Sequence, residues 1–147
     1  CNLYGPGQLN FSALIPSLIK TVIKNEKFIP RSNGKTTRDY MFIGDWVQTL
    51  INLPHNLNKK NKELIFNFGN NKPISTLEIF KKIFNIMKNK KTKEVIDAFK
   101  KFEMKNYDEI TYQFLDSSKA KKNLNFKTNT SIDIGLQKTI QWYKKYI

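Results

Sequence analysis

Seven apolar side chains, Phe11, Leu14, Ile15, Leu18, Ile19, Val22 and Ile23, recur at helical spacing, with Ser12, Ser17, Lys20, Thr21 and Lys24 on the opposite side. A stripe this wide must be covered by another layer of structure. Burying such side chains contributes roughly 1.5 to 3 kcal/mol each before entropy is counted, so the helix exists only where it docks. Pro16 fits only if the helix begins within the turn before it, because a proline deeper in a helix removes a backbone donor and clashes with the preceding turn. The stripe comes after Tyr4-Gly5-Pro6-Gly7, a strong turn signal that predicts a strand end just before it.

Beyond Lys24 the chain alternates between short extended and helical patterns. Phe28-Ile29-Pro30 reads as a short extended piece, Ser32 to Lys35 as a turn, and Tyr40-Met41-Phe42-Ile43 as a short buried strand. Asp45 is placed to cap the next helix, with Gln48 three residues on and Trp46, Val47, Leu50 and Ile51 as its apolar face. Residues 54 to 63 form a polar loop, and Leu64 to Phe68 a strand that stops at Gly69-Asn70-Asn71. Ser75 with Glu78 is a capping box ahead of a helix whose face carries Leu77, Ile79, Phe80, Ile83, Phe84 and Met87. That aromatic and methionine stripe reads as core. Val95, Ile96 and Phe99 suit either a strand or a short helix, and Tyr112, Phe114 and Asp116 a short extended segment. Asp116 or Ser117 caps a short helix through Leu124, and Thr130 or Ser131 caps a last one lined by Leu136, Ile140, Tyr143 and Ile147. The fold class is α/β, as one incomplete unit over residues 1–147. Cys1 runs almost directly into the glycine-proline turn with no initiator methionine, which reads as a chain cut within a fold.

Charge enters here because it bears on partners. The net charge of +14 comes from 24 lysines and two arginines, alongside 17 asparagines. The lysines are spread over every predicted helix, so they read as a solvated surface and predict no nucleic-acid partner. No apolar run approaches membrane-spanning length, no signal segment is visible, and a cytoplasmic protein with no membrane partner is expected. One cysteine and one histidine, Cys1 and His55, leave no disulfide framework and no zinc-ligand set, so no metal site is expected.

The arginines matter for the opposite reason. A guanidinium offers a fixed fork of donors that matches phosphate at two points, and a chain stocked with lysine keeps arginine only at Arg31 and Arg38. Arg38 suits either a phosphate clamp or an ion pair with Asp39. Asn2, Asn10, Asn70 and Asn71 add anion-binding loop residues near predicted strand ends, where α/β proteins hold their ligands. There is no Gly-x-Gly-x-x-Gly turn, no Gly-Lys-Ser/Thr phosphate loop, no Tyr-x-x-x-Lys pair and no Ser/His/Asp set. The expected catalytic set on this chain is therefore empty.

Taken in order, Asn2-Leu3-Tyr4-Gly5-Pro6-Gly7, Leu14-Ile15-Pro16, Gly34 with Arg38-Asp39-Tyr40 and Asp45, Phe66-Asn67-Phe68-Gly69, Leu115 to Ala120, and Gly135-Leu136 with Thr139-Ile140 and Trp142-Tyr143 carry a resemblance. The chain resembles the C-terminal half of nucleotide-sugar epimerases and 4,6-dehydratases of the extended short-chain dehydrogenase/reductase family. The resemblance implies the substrate-binding portion of an extended NAD(P)-binding Rossmann-type enzyme with remnant Rossmann strands. The N-terminal half, which would bind NAD(P) and carry the Tyr-x-x-x-Lys pair, is absent, so no cofactor is expected on this chain alone.

By motif position, the resemblance implies that Asn2 touches substrate phosphates, that Leu14 and Ile15 line the nucleotide pocket, that Ile29 to Arg31 runs along the base, and that Arg38 clamps the diphosphate. The substrate class it implies is a nucleoside diphosphate sugar, and the full-length state a homodimer. Two departures weaken the match: Ala13 stands where relatives place a polar or basic residue, and Lys105-Asn106 where they place another arginine. Glu109-Ile110 with Gln113 and Asp116 leans toward dehydratases of the CDP-glucose type. The alternatives are a small basic nucleic-acid-binding module and a non-catalytic family relative.

Overall fold

A computed structural model describes residues 1–30, 32–57, 65–101 and 110–147. Its centre is a parallel ribbon of β1 (Asn2–Tyr4) and β3 (Tyr40–Phe42), in register Asn2 to Tyr40, Leu3 to Met41 and Tyr4 to Phe42. Parallel strands need a long crossover, and here it contains α1 (Leu14–Ile23). A second sheet of two-residue strands has the order β4-β2-β5. Its middle strand β2 (Thr37–Arg38) runs antiparallel to β4 (Ile74–Ser75) and parallel to β5 (Tyr112–Gln113).

Successive side chains on a strand point to opposite faces, and the ribbon uses both. Tyr4, Tyr40 and Phe42 enter a large core with Leu18 and Ile19 of α1, Phe80 and Ile83 of α3 (Thr76–Ile86), Phe99 of α4 (Thr92–Lys101), and Leu136 and Tyr143 of α6 (Ile132–Tyr146). Leu18, Ile19, Phe80 and Leu136 are fully buried there, so the α1 stripe is covered as its spacing requires. Met41 and Leu3 face the other way. They meet Ala120 and Leu124 of α5 (Ser118–Leu124), Phe126, and Trp46 and Leu53 of α2 (Ile43–Asn56).

Local signals hold where the partner is a few residues away. Pro16 lies in the first turn of α1, and the Ser75–Glu78 capping box forms in full. Ser131 caps α6 by accepting from the Ile134 amide. The ambiguous 95–99 stretch is helical, with Val95 and Phe99 one turn apart and both buried.

Several expectations are corrected. Asp45 does not cap α2: the helix begins at Ile43 after Phe42, and the Asp45 carboxylate instead accepts from the Thr130 amide (3.0 Å) and hydroxyl (2.9 Å). The polar loop begins later than residue 54, because α2 continues past Pro54 to Asn56. Pro54 lies in the last turn of α2, so the hydrogen bond it removes and the crowding of the carbonyl four residues back affect only the end of the helix. Residues 65–68 form no strand; Phe66 and Phe68 turn singly into the smaller core while Ile65 is 84 % exposed. Phe28-Ile29-Pro30 is irregular, because the Phe28 ring packs on Phe80 and Phe99 while Ile29 faces outward. The apolar face of α2 is only half covered: Trp46 packs inward, but Val47, Leu50 and Ile51 are exposed. Leu64, residues 58–63 and residues 102–109, with Lys105, Asn106 and Glu109 among them, lie outside the described residues.

Candidate functional site: a cavity between two sheets

Arg38 ends β2 and Tyr40 begins β3, so the backbone passes from one sheet to the other across the single residue Asp39. This crossing places Arg38 beside Asn2, which pairs in register with Tyr40. A cavity of about 220 Å³ opens there, lined by Asn2, Arg38 and Tyr40 together with Ser12, Leu14, Ser17, Phe28, Ile29 and Phe99. Ser32, Thr36 and Thr76 complete it.

The wall combines apolar and polar groups in a way that suits a ligand with a ring and an anionic group. Phe28, Phe99 and Leu14 supply flat apolar contact. The Thr36 and Thr76 hydroxyls lie 2.9 Å apart and buried, and Thr76 Oγ1 is also 3.1 Å from the Thr36 carbonyl, which it reaches as a donor. The Arg38 Nη1 donates to the Thr37 carbonyl at 2.9 Å. Burial pushes the Tyr40 phenol above its ordinary range, opposed by a hydrogen bond with the Asn2 side chain and by the Arg38 charge. Tyr40 is therefore neutral at physiological pH.

Of the expected site residues, Asn2, Leu14, Ile29 and Arg38 line this cavity. Three others do not. Ile15 is 2 % exposed and points into the large core. Asn10 shapes the loop before α1, its side-chain oxygen accepting from the Ser12 amide and hydroxyl. Asn70 donates to the Tyr40 carbonyl and lines a separate groove of about 480 Å³ with Lys72, Ile74, Glu78 and Thr130. Arg31 lies outside the described residues. Sequence reasoning missed Thr36, Thr76 and Phe99. Thr76 comes directly after the capping Ser75, so the start of α3 was the available signal for it. No group of three or more His, Cys, Asp or Glu able to hold a metal occurs among the described residues. None of their helices is long and apolar enough to cross a membrane.

The ribbon, its helical crossover and the cavity beside it make a mixed α/β fold. The backbone superposes on UDP-glucuronic acid 4-epimerase from Bacillus cereus, solved with UDP-glucuronic acid and NAD, with a TM-score of 0.80 at 24% identity, over 99% of this chain and 44% of that one. The sequence profile of the NAD dependent epimerase/dehydratase family matches residues 1–69 of the chain. It is 27% identical to UDP-N-acetyl-alpha-D-glucosaminuronate decarboxylase of Bacillus cytotoxicus, over 98% of this chain and 44% of the relative. It is 29% identical to dTDP-D-glucose 4,6-dehydratase of Dictyostelium discoideum, over 97% of this chain and 38% of the relative. The chain thus spans less than half the length of these curated relatives.

Proposed function

We propose that this chain supplies the nucleoside diphosphate sugar site of an NAD-dependent nucleotide-sugar dehydratase or epimerase. The observation that carries the reading is the convergence of Asn2, Leu14, Ile29 and Arg38 on one cavity that also holds paired hydroxyls and aromatic rings. In such an enzyme a bound NAD would supply the hydride chemistry, while the residues of this cavity bind and orient the substrate. The fork of Arg38 takes the diphosphate, Asn2 hydrogen-bonds beside it, and Leu14, Phe28 and Ile29 hold the nucleoside by apolar contact. The sequence holds no glycine-rich turn of the kind that seats a dinucleotide pyrophosphate at a helix start, so this chain's residues do not fit a complete NAD site.

Calorimetric titration with a UDP- or dTDP-sugar, and separately with an unrelated oligonucleotide, tests this reading. The chain is expected to bind the sugar nucleotide, and Arg38→Ala to weaken it by about tenfold or more, since hydrogen bonds to charged groups contribute roughly 1.5 to 3 kcal/mol. Salt-sensitive oligonucleotide binding that is indifferent to Arg38, with no sugar-nucleotide binding, would instead identify the lysine-rich surface as the functional one. Catalytic turnover by the 147 residues alone would contradict the division of labour proposed here.

A further inference from the structure

Asp39 is an acid in an unusual place. It is 2 % exposed, sits at the single-residue crossing between the two sheets, and lies between two residues of the cavity wall, Arg38 and Tyr40. Its backbone carbonyl accepts from the Asn2 amide at 2.8 Å, and its Oδ2 accepts from the Asn71 amide at 3.0 Å. Its Oδ1 has no hydrogen-bond partner among the described residues. A buried carboxylate oxygen left in that state costs free energy that packing alone does not return.

The surroundings hold this carboxylate from several sides. Asn71 adopts the left-handed region (φ 55°), which aims its amide at Asp39, and its own side-chain oxygen accepts from the Ser117 amide at 3.3 Å. The Ser117 hydroxyl donates to the Gly69 carbonyl at 2.9 Å. Gly69 is close enough that an added Cβ would lie 2.5 Å from Asp39 Oδ2, so only glycine leaves the carboxylate in place. Asn70, between them, donates to the Tyr40 carbonyl. The 69–71 turn therefore grips the chain at the crossing residue Asp39 and at Tyr40 after it, and the start of α5 braces the turn.

We infer that Asp39 is a positioning residue for the anion site: clamped by Gly69-Asn70-Asn71, it fixes the relative setting of Arg38 and Asn2 on the cavity wall. It touches no substrate itself. This rests on the sugar-nucleotide reading of the cavity, but it makes a separate claim about how Arg38 is held.

A double-mutant cycle tests it. Asp39→Ala is expected to weaken sugar-nucleotide binding by about tenfold, a hydrogen bond's worth of displaced geometry. In an Arg38→Ala background the same change is expected to cost less than about twofold, because its effect runs through the guanidinium. Asp39→Asn, which keeps an acceptor for the Asn71 amide, is expected to restore binding to near the parent value. Equal losses in both backgrounds would overturn the inference, since a merely structural role weakens both alike. Should Asp39→Ala not fold, Gly69→Ala pushes on the same carboxylate and goes through the same cycle. Order of the Arg38 side-chain Nε–H, measured by ¹⁵N relaxation, is read without ligand: it should fall in the Asp39→Ala or Gly69→Ala protein. Unchanged order sinks the joint whatever the titrations show, whereas lost order in a protein that binds no nucleotide sinks the substrate reading and leaves the joint standing.

Discussion

The two faces of the β1–β3 ribbon are built from adjacent residues and packed to different standards. Tyr40 and Phe42 enter a core closed by α1, α3, α4 and α6, in which Phe80 stacks among Phe28, Phe84 and Phe99 with ring centroids 4.1 to 6.2 Å apart. Met41, between them, enters a smaller cluster whose Trp46, Phe66 and Phe68 are only partly buried, beside an α2 face that leaves Ile51 59 % exposed. Apolar area removed from water sets the hydrophobic contribution, so the first face carries most of the stability. The second holds the α2 and α5 side together with less.

Truncation is the strongest way to break this contrast. Phe80→Ala should lower the unfolding free energy by about 3 to 5 kcal/mol, as expected for a fully buried ring. Phe68→Ala, partly exposed on the second face, should cost less than half of that. Urea unfolding of both proteins decides the matter, and equal losses would mean that the second face is closed in solution.

Alkaline pH sharpens the same contrast. Burial raises the phenols of Tyr4, Tyr40 and Tyr143, all of them in the first core; at Tyr4 the charges of Asp45 and Asp133 add to it. A folded-state value above the unfolded one means that the native state holds its proton longer. The stabilising contribution is therefore complete below about pH 10, the ordinary tyrosine value, and is lost as the pH rises beyond it. Melting temperature should fall above that pH as phenolate absorbance appears, and Tyr4→Phe should flatten the fall. The smallest effect is expected on α2, where Ile51→Glu should change stability by less than about 0.5 kcal/mol while lowering self-association on light scattering. A large loss of stability there would show that the face is covered.

How much was legible depends on the distance over which each residue finds its partner. The Ser75–Glu78 box and the Ser131 cap act within three residues; the sequence pattern identified the first and narrowed the second to Thr130 or Ser131. Asn2, Leu14, Ile29 and Arg38 were located by ordered motifs and meet at the cavity. Asp45 shows the opposite case. An acid near a helix start has an obvious local use, yet this one bonds Thr130, 85 residues away, a pairing that only the tertiary fold supplies. Asn70 was expected among anion ligands for its place after a strand, but residues 65–68 form no strand and its side chain serves the Tyr40 backbone. Phe66 and Phe68 alternate as strand residues do, because two side chains reaching one cluster produce that period without any ladder.

The last helix has a bearing on synthesis. Tyr4 donates its hydroxyl to the Ile132 carbonyl at 3.4 Å near the start of α6, and Tyr143, near its end, donates to the Gln8 carbonyl. Gly135 lets the helix approach so closely that an added Cβ would collide with the Tyr4 hydroxyl. The residues that cover the first strand thus follow it by 128 positions in the chain. Until residues 132–146 emerge, Tyr4 and Phe42 have no lid on the α6 side, and a nascent chain stalled short of them should remain a client of chaperones.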